Sequence, residues 1–267
     1  MVLGSAAAFG TLPILIKYAY ATGLSPLQAL AIRFLLAALG LHALALLHGE
    51  RVPRLGGVRV GQFLLLGGVG YAAQAATFFA ALCCLSASLV ELLAYIYPSL
   101  VTAGAWLLFR RRVGFRRALA LAVSFGGLAL LIGGGARLAI GLPLLLALAA
   151  PVVYSCYILA GEQLMRSAPV LSASALVHTG TAVSMLALLL ASRQPVLPHN
   201  PASLPVLVLL AIVPSMIAIS LFLAGIHRVG GPQASLLSTV EPVVTWRWRP
   251  GCSATASPSP RLWGLRP

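Results

Sequence analysis

The chain contains no aspartate, and its acids are Glu50, Glu91, Glu162 and Glu241. Four scattered glutamates cannot build an aspartyl dyad or a two-metal carboxylate centre. Lysine is nearly absent too, with Lys17 as the single instance. No GxxxxGK[ST] run exists to cradle nucleotide phosphates, which argues against ATP-driven work by this chain alone. Cys83, Cys84, Cys156 and Cys252 form no C-x-x-C pair, and adjacent cysteines make poor disulfide geometry. They read as small apolar residues in helices. His42, His48, His199 and His227 sit near span ends or in loops without metal-ligand spacing, so neither a metal nor another cofactor is expected. No basic n-region precedes the first apolar stretch, so no cleavable signal peptide is expected.

What is present in excess is apolar surface. Hydrophobic residues make up 60% of the 267 positions and charged residues 8%, against about 25% charged in a soluble domain. Such a chain cannot cover a water-facing surface. Its continuous apolar runs, rather than alternating ones, point to an all-α polytopic membrane protein, because lipid offers the backbone no hydrogen-bond partners. Spans are expected at 2–20, 26–48, 61–83, 87–109, 117–134, 141–163, 170–191, 204–226 and a short 231–246. The formal charge of +14 does not imply nucleic acid, since the arginines cluster between apolar runs. With the N-terminus inside, cytoplasmic loops hold Arg51, Arg54, Arg59, Arg110, Arg111, Arg112, Arg116, Arg117, Arg166 and Arg228, and outer loops hold Arg137 and Arg193. This asymmetry predicts a cytoplasmic N-terminus.

A weak internal repeat follows from aligning Pro98 with Pro242, an offset of 144 residues. Residues 78–101 then lie over 222–245 without gaps, with Ala80 on Ala224, Leu92 on Leu236 and Leu93 on Leu237. The first span falls on the sixth and the second on the seventh. Five helices per copy, an odd number, would invert the second copy, an arrangement typical of secondary transporters with a midplane site.

The residues that carry a family resemblance are Gly4-Ser5, Lys17, Ser25-Pro26 and Arg33-Phe34 within 3–39, the mid-helix Pro98 within 86–109, and Glu241-Pro242 within 231–245. In order and spacing these resemble the EamA-type permeases of the drug/metabolite transporter superfamily, over about residues 1–245. The resemblance implies two inverted five-helix repeats, here 1–134 and an incomplete four-span 141–245. It also implies an inner-membrane, multi-pass permease or exporter of small metabolites, amino acids or drugs. The chain departs from the family at RRRVGF (110–115), where an acidic turn is usual, and after 245. The segment 246–267 carries four arginines and four prolines. It cannot form a span, because each central arginine costs about 2.5–3.5 kcal/mol on insertion scales. Codon arithmetic allows a shifted frame after Thr245 to read an apolar helix end followed by Gly-Asp-Arg-Leu. A C-terminal truncation by frameshift is therefore expected, with a true basic tail as the alternative.

Several side chains qualify for a substrate path: Lys17, Tyr71, Gln74, Tyr95, Tyr97, Tyr154, His178 and Glu241. Pro98 and Pro242 are expected to bend their helices. Lys17 lies near a span end, where snorkelling and function are both compatible. Arg33, a third of the way down its span, reads as a packing or interfacial residue, and Glu91 as interfacial. Glu241, beside carbonyls freed by Pro242, suits either a proton or cation site or a buried structural acid. His178 suits packing or proton relay. Tyr157 and the other tyrosines place polar tips within spans, as a pocket for a mixed small molecule requires, although aromatic packing explains most of them. The expected partners are a small-molecule substrate and the lipid bilayer, with proton coupling and a homodimer compatible, and no nucleic acid. An intramembrane enzyme is disfavoured, since no Ser/His or His/Glu motif accompanies the one mid-span histidine.

Overall fold

The computed structural model describes residues 1–50, 56–82, 84–85, 87–110, 114–115, 119, 122–123, 126, 141–166 and 168–241. Among these, all regular structure is helical. Seven stretches are long and apolar enough to cross a membrane: Val2–Ala21, Pro26–Leu47, Gly57–Ala81, Leu92–Phe109, Leu142–Met165, Val170–Ala191 and Ser203–Val229. The other two expected spans, 117–134 and 231–246, fall largely or partly outside the described residues, as do Pro242 and the tail 246–267. Large apolar side chains such as Leu46, Leu47, Leu107 and Val69 are exposed, as suits a surface that meets lipid rather than water.

Several passes are interrupted, each for a local reason. The first is α1 (Val2–Phe9) and α2 (Leu12–Ala21), parted at Gly10-Thr11. The second, α3 (Pro26–Leu47), starts with a capping box. The Gln28 N–H donates to Ser25 Oγ at 3.1 Å, and the Ser25 N–H donates to Gln28 Oε1 at 3.0 Å, with Pro26 supplying a pre-set φ in the first turn. The third runs as α4 (Gly57–Leu65), a π-helical turn over Leu66–Tyr71, and α5 (Ala72–Leu82). The fourth, expected to bend at Pro98, is instead broken into α6 (Ala87–Ala94) and α7 (Tyr97–Phe109). Pro98 has no N–H for the Ala94 carbonyl and its ring opposes the preceding turn, so the helix stops and restarts with proline in its first turn.

The later passes are α8 (Leu142–Met165), α9 (Val170–Ala191), then α10 (Ser203–Ala211), a second π-helical turn over Ile212–Ile217, α11 (Ala218–Val229) and α12 (Gly231–Ser238). Pro214 leaves the Leu210 carbonyl without its usual N–H, and the Ser215 hydroxyl donates to that carbonyl at 3.0 Å. After α12 a turn at Thr239-Val240 precedes Glu241.

Helices α3 and α9 form the most extensive helix pair among the described residues. Their ends cap one another. The Ser25 hydroxyl donates to Gln194 Oε1 at 2.6 Å, and Gln28 Nε2 donates to the Pro195 carbonyl at 2.5 Å. At the other end, Glu50 accepts from the Ser172 N–H at 2.8 Å and its hydroxyl at 3.0 Å. The start of each helix thus meets the end of the other, so the pair is antiparallel. Glu50 and Gln194 stand at the 144-residue offset that aligns Pro98 with Pro242. Against this pair packs the glycine-rich π turn. A Cβ on Gly67 would strike the Val177 carbonyl, and one on Gly180 the Leu64 carbonyl. The π turn releases carbonyls from the helical ladder. The Thr181 hydroxyl donates to Gly67 at 3.0 Å, and the Ser184 hydroxyl donates to Gly68 at 2.7 Å.

Candidate functional site

The close approach of α9 to the π turn brings Tyr71, the last residue of that turn, into the interior. There it begins a continuous aromatic cluster. Phe34 of α3 meets Tyr71 edge-on at 5.5 Å, and Tyr71 meets Tyr157 of α8 at 5.4 Å. Tyr157 stacks on Tyr154 at 5.8 Å, and Tyr154 meets Tyr97 of α7 at 4.9 Å and Phe222 of α11 at 6.3 Å. His178 of α9 lies 5.9 Å from Phe34. Ring pairs of this geometry favour edge-on and offset arrangements and hold their helices in register.

Polar anchors tie the cluster down. The Tyr97 hydroxyl donates to the Ser235 carbonyl at 3.4 Å, joining α7 to α12. Ser155 donates to the carbonyls of Pro151 at 2.6 Å and Tyr97 at 3.2 Å. His178 donates through Nδ1 to the Ser174 carbonyl at 2.8 Å, and its buried Nε2 has no hydrogen-bond partner among the described residues. The Tyr157 hydroxyl is buried and likewise lacks one.

Two ionisable groups border the cluster. Arg33 is 3% exposed, its guanidinium lies 4.4 Å over the Phe34 ring, and the Tyr71 phenol hydrogen-bonds to it. It lines a small recess with Ile16, Tyr20, Pro26, Ala29, Leu30, Phe79 and Leu210. The half-buried Glu241 is in electrostatic reach of Tyr71, Tyr97 and Tyr154. Tyr71 therefore faces a cation and an acid.

Of the side chains expected along a substrate path, Tyr71, Tyr97, Tyr154, His178 and Glu241 come together here. Tyr95 and Gln74 are half-buried, Tyr95 at the α6–α7 break beside Tyr97 and Gln74 on α5. Lys17 is exposed on α2, and it is Tyr20, one turn on, that reaches the Arg33 recess. Arg33, expected in helix packing or at the interface, is enclosed between helices, because α2, α5 and α10 close over it. The side chain of Glu91 lies outside the described residues. Glu162, given no role from sequence, is buried on α8 and accepts the Gly231 N–H at 3.1 Å, capping α12 from another helix. No group of three His, Cys, Asp or Glu suited to a metal occurs among the described residues. What the arrangement offers is a largely apolar, aromatic enclosure with sparse polar groups, the chemistry of small-molecule recognition.

The model of the EamA-like transporter family matches residues 1–133 and 141–248. No curated protein matches the chain. Among solved structures, one described only as the crystal structure of a protein superposes with a TM-score of 0.74 at 22% identity, covering 91% of this chain and 84% of that one. At that identity the likeness establishes the shared fold.

Proposed function

Given that the chain belongs to the EamA-like transporter family and is a multi-pass membrane protein, we propose that it is a secondary active permease. It moves small metabolites, amino acids or drugs across the inner membrane by alternating access between two inverted repeats, 1–134 and 141–245, with its N-terminus in the cytoplasm. The observation that carries this reading is the aromatic cluster, which draws Phe34, Tyr71 and Tyr97 from one half of the chain and Tyr154, Tyr157, His178 and Phe222 from the other. A site shared between halves is exposed to one side or the other as the halves rock. The antiparallel α3–α9 pair, with reciprocal caps at a common offset, supports an axis between the halves. The breaks at Gly10-Thr11, Tyr95-Ile96 and Thr239-Val240 supply joints at which helices bend. Energy comes from an ion or substrate gradient, with a proton as the coupling ion that Glu241 suits.

The test is a flux assay. Proteoliposomes containing the full chain are screened for uptake of labelled small molecules under an imposed pH gradient and in counterflow. Saturable uptake that Tyr154→Ala and Tyr157→Ala reduce at least about tenfold, the scale of losing a buried ring contact with a ligand, supports the reading. Uptake indifferent to both changes, or none across the screen, counts against it.

A further inference from the structure

Arg33 stands out among the buried groups because its charge has nowhere to go. A guanidinium stays protonated in proteins, and one enclosed among apolar walls carries a severe desolvation cost unless an anion compensates it. Here Nε and Nη1, with three N–H donors between them, have no hydrogen-bond partner among the described residues. The phenols of Tyr71 and Tyr20 act on Arg33, and the His178 ring lies in its electrostatic reach; none of these is a carboxylate. Among the described side chains, Glu50 is bonded to Ser172, Glu162 to Gly231, and Glu241 lies in electrostatic reach of Tyr71, Tyr97 and Tyr154; none of the three acts on Arg33 itself. The face of Phe34 offsets part of the charge, and the guanidinium itself lines the recess.

We propose that this recess is an anion subsite, and that the molecule carried by the protein bears a carboxylate that docks on Arg33. This rests on the transporter reading for its physiological meaning, although the binding chemistry stands apart from it. Arginine suits the role because its planar fork presents paired donors to carboxylate oxygens. The walls set the rest of the ligand's character. Ile16, Leu30, Phe79 and Leu210 are apolar, and the Tyr71–Tyr157–Tyr154 run begins beside the guanidinium, so the carboxylate is attached to an apolar or aromatic body. In the conformation described the recess measures about 10 Å³, room for about one water. Ligand entry therefore requires α2 or α5 to move away from Arg33, and the break at Gly10-Thr11 lies directly before α2.

The experiment is equilibrium binding to the purified full chain in detergent, with benzoate, phenylacetate, 3-phenylpropionate and octanoate as probes and their primary amides as neutral counterparts. At least one acid is expected to bind at least about tenfold more tightly than its amide, the scale of a charge-assisted hydrogen bond. Arg33→Gln should bring that acid down to the level of its amide, and Arg33→Lys should retain an intermediate affinity. Equal affinity of acids and amides, failure of every acid to bind, or full acid affinity in Arg33→Gln would overturn the proposal. Should Arg33→Gln not fold, the wild-type contrast of acid and amide decides alone. Acid-selective binding without flux would sink the transporter reading and leave the anion subsite standing; flux of neutral or cationic molecules without acid binding would do the reverse.

Discussion

Glu241 illustrates how one side chain is judged by its surroundings. The sequence places it before Pro242 in an apolar stretch, and the structure puts it within electrostatic reach of three phenols drawn from α7, α8 and the π turn. An acid so placed can gain or lose a proton when the cluster opens to one side, as a coupling residue must. Glu241→Gln keeps the shape and removes the titratable group. The expected outcome is loss of pH-gradient-driven uptake with expression and counterflow preserved, measured in paired vesicle assays. Normal gradient-driven uptake by the variant would reduce Glu241 to a structural role.

At the scale of the element, the π turn and α9 form the tightest seam. Gly67 and Gly68 in LGGVGY let α9 approach until backbone meets backbone, and Gly180 answers from the other side. In membranes such small-residue contacts carry much of the helix–helix attraction, because lipid competes with larger apolar side chains. Gly180→Val would push its Cβ into the Leu64 carbonyl and within 2.8 Å of the Gly68 nitrogen. Backbone cannot yield as a side-chain tip can. A loss of about 1–3 kcal/mol is expected from overpacking, read as a lowered melting temperature in detergent. Gly61→Val, where the added atom meets nothing within 4 Å, is the control and should change the melting temperature little. Equal behaviour of the two variants would show that the seam is not tight. The glycine pattern is visible in sequence, but the partner of each glycine is not, since Gly67 and Gly180 are distant along the chain.

At the scale of the molecule, the question is which way the bundle sits. Ten loop arginines against Arg137 and Arg193 predict that the N-terminus and the 110–117 loop lie in the cytoplasm. Single cysteines at Arg112 and Arg193, in a background with the four native cysteines replaced by serine, give the check. An impermeant thiol reagent on intact cells should label position 193 and spare position 112. Labelling of 112 alone would invert the topology.

The sequence by itself determined that this is a helical membrane protein, because a chain with 8% charge must satisfy its backbone inside its own spans. It also carried the family resemblance and the expectation of a bend at Pro98, since a missing N–H is a local property. Tyr71, Tyr97, Tyr154, His178 and Glu241 were legible as polar groups within apolar runs. Their convergence was not, because it depends on α3, α7, α8, α9 and the π turn meeting in space. Arg33 shows the limit most clearly. From its position on a helix, an arginine that snorkels to the interface and one that is sealed inside look alike. Only the closure of Ile16, Tyr20, Phe79 and Leu210 over it decides that its charge is buried. The reciprocal caps of Glu50 and Gln194 are of the same kind: a helix end finds its partner through tertiary packing, and nothing local in the sequence specifies which end that is.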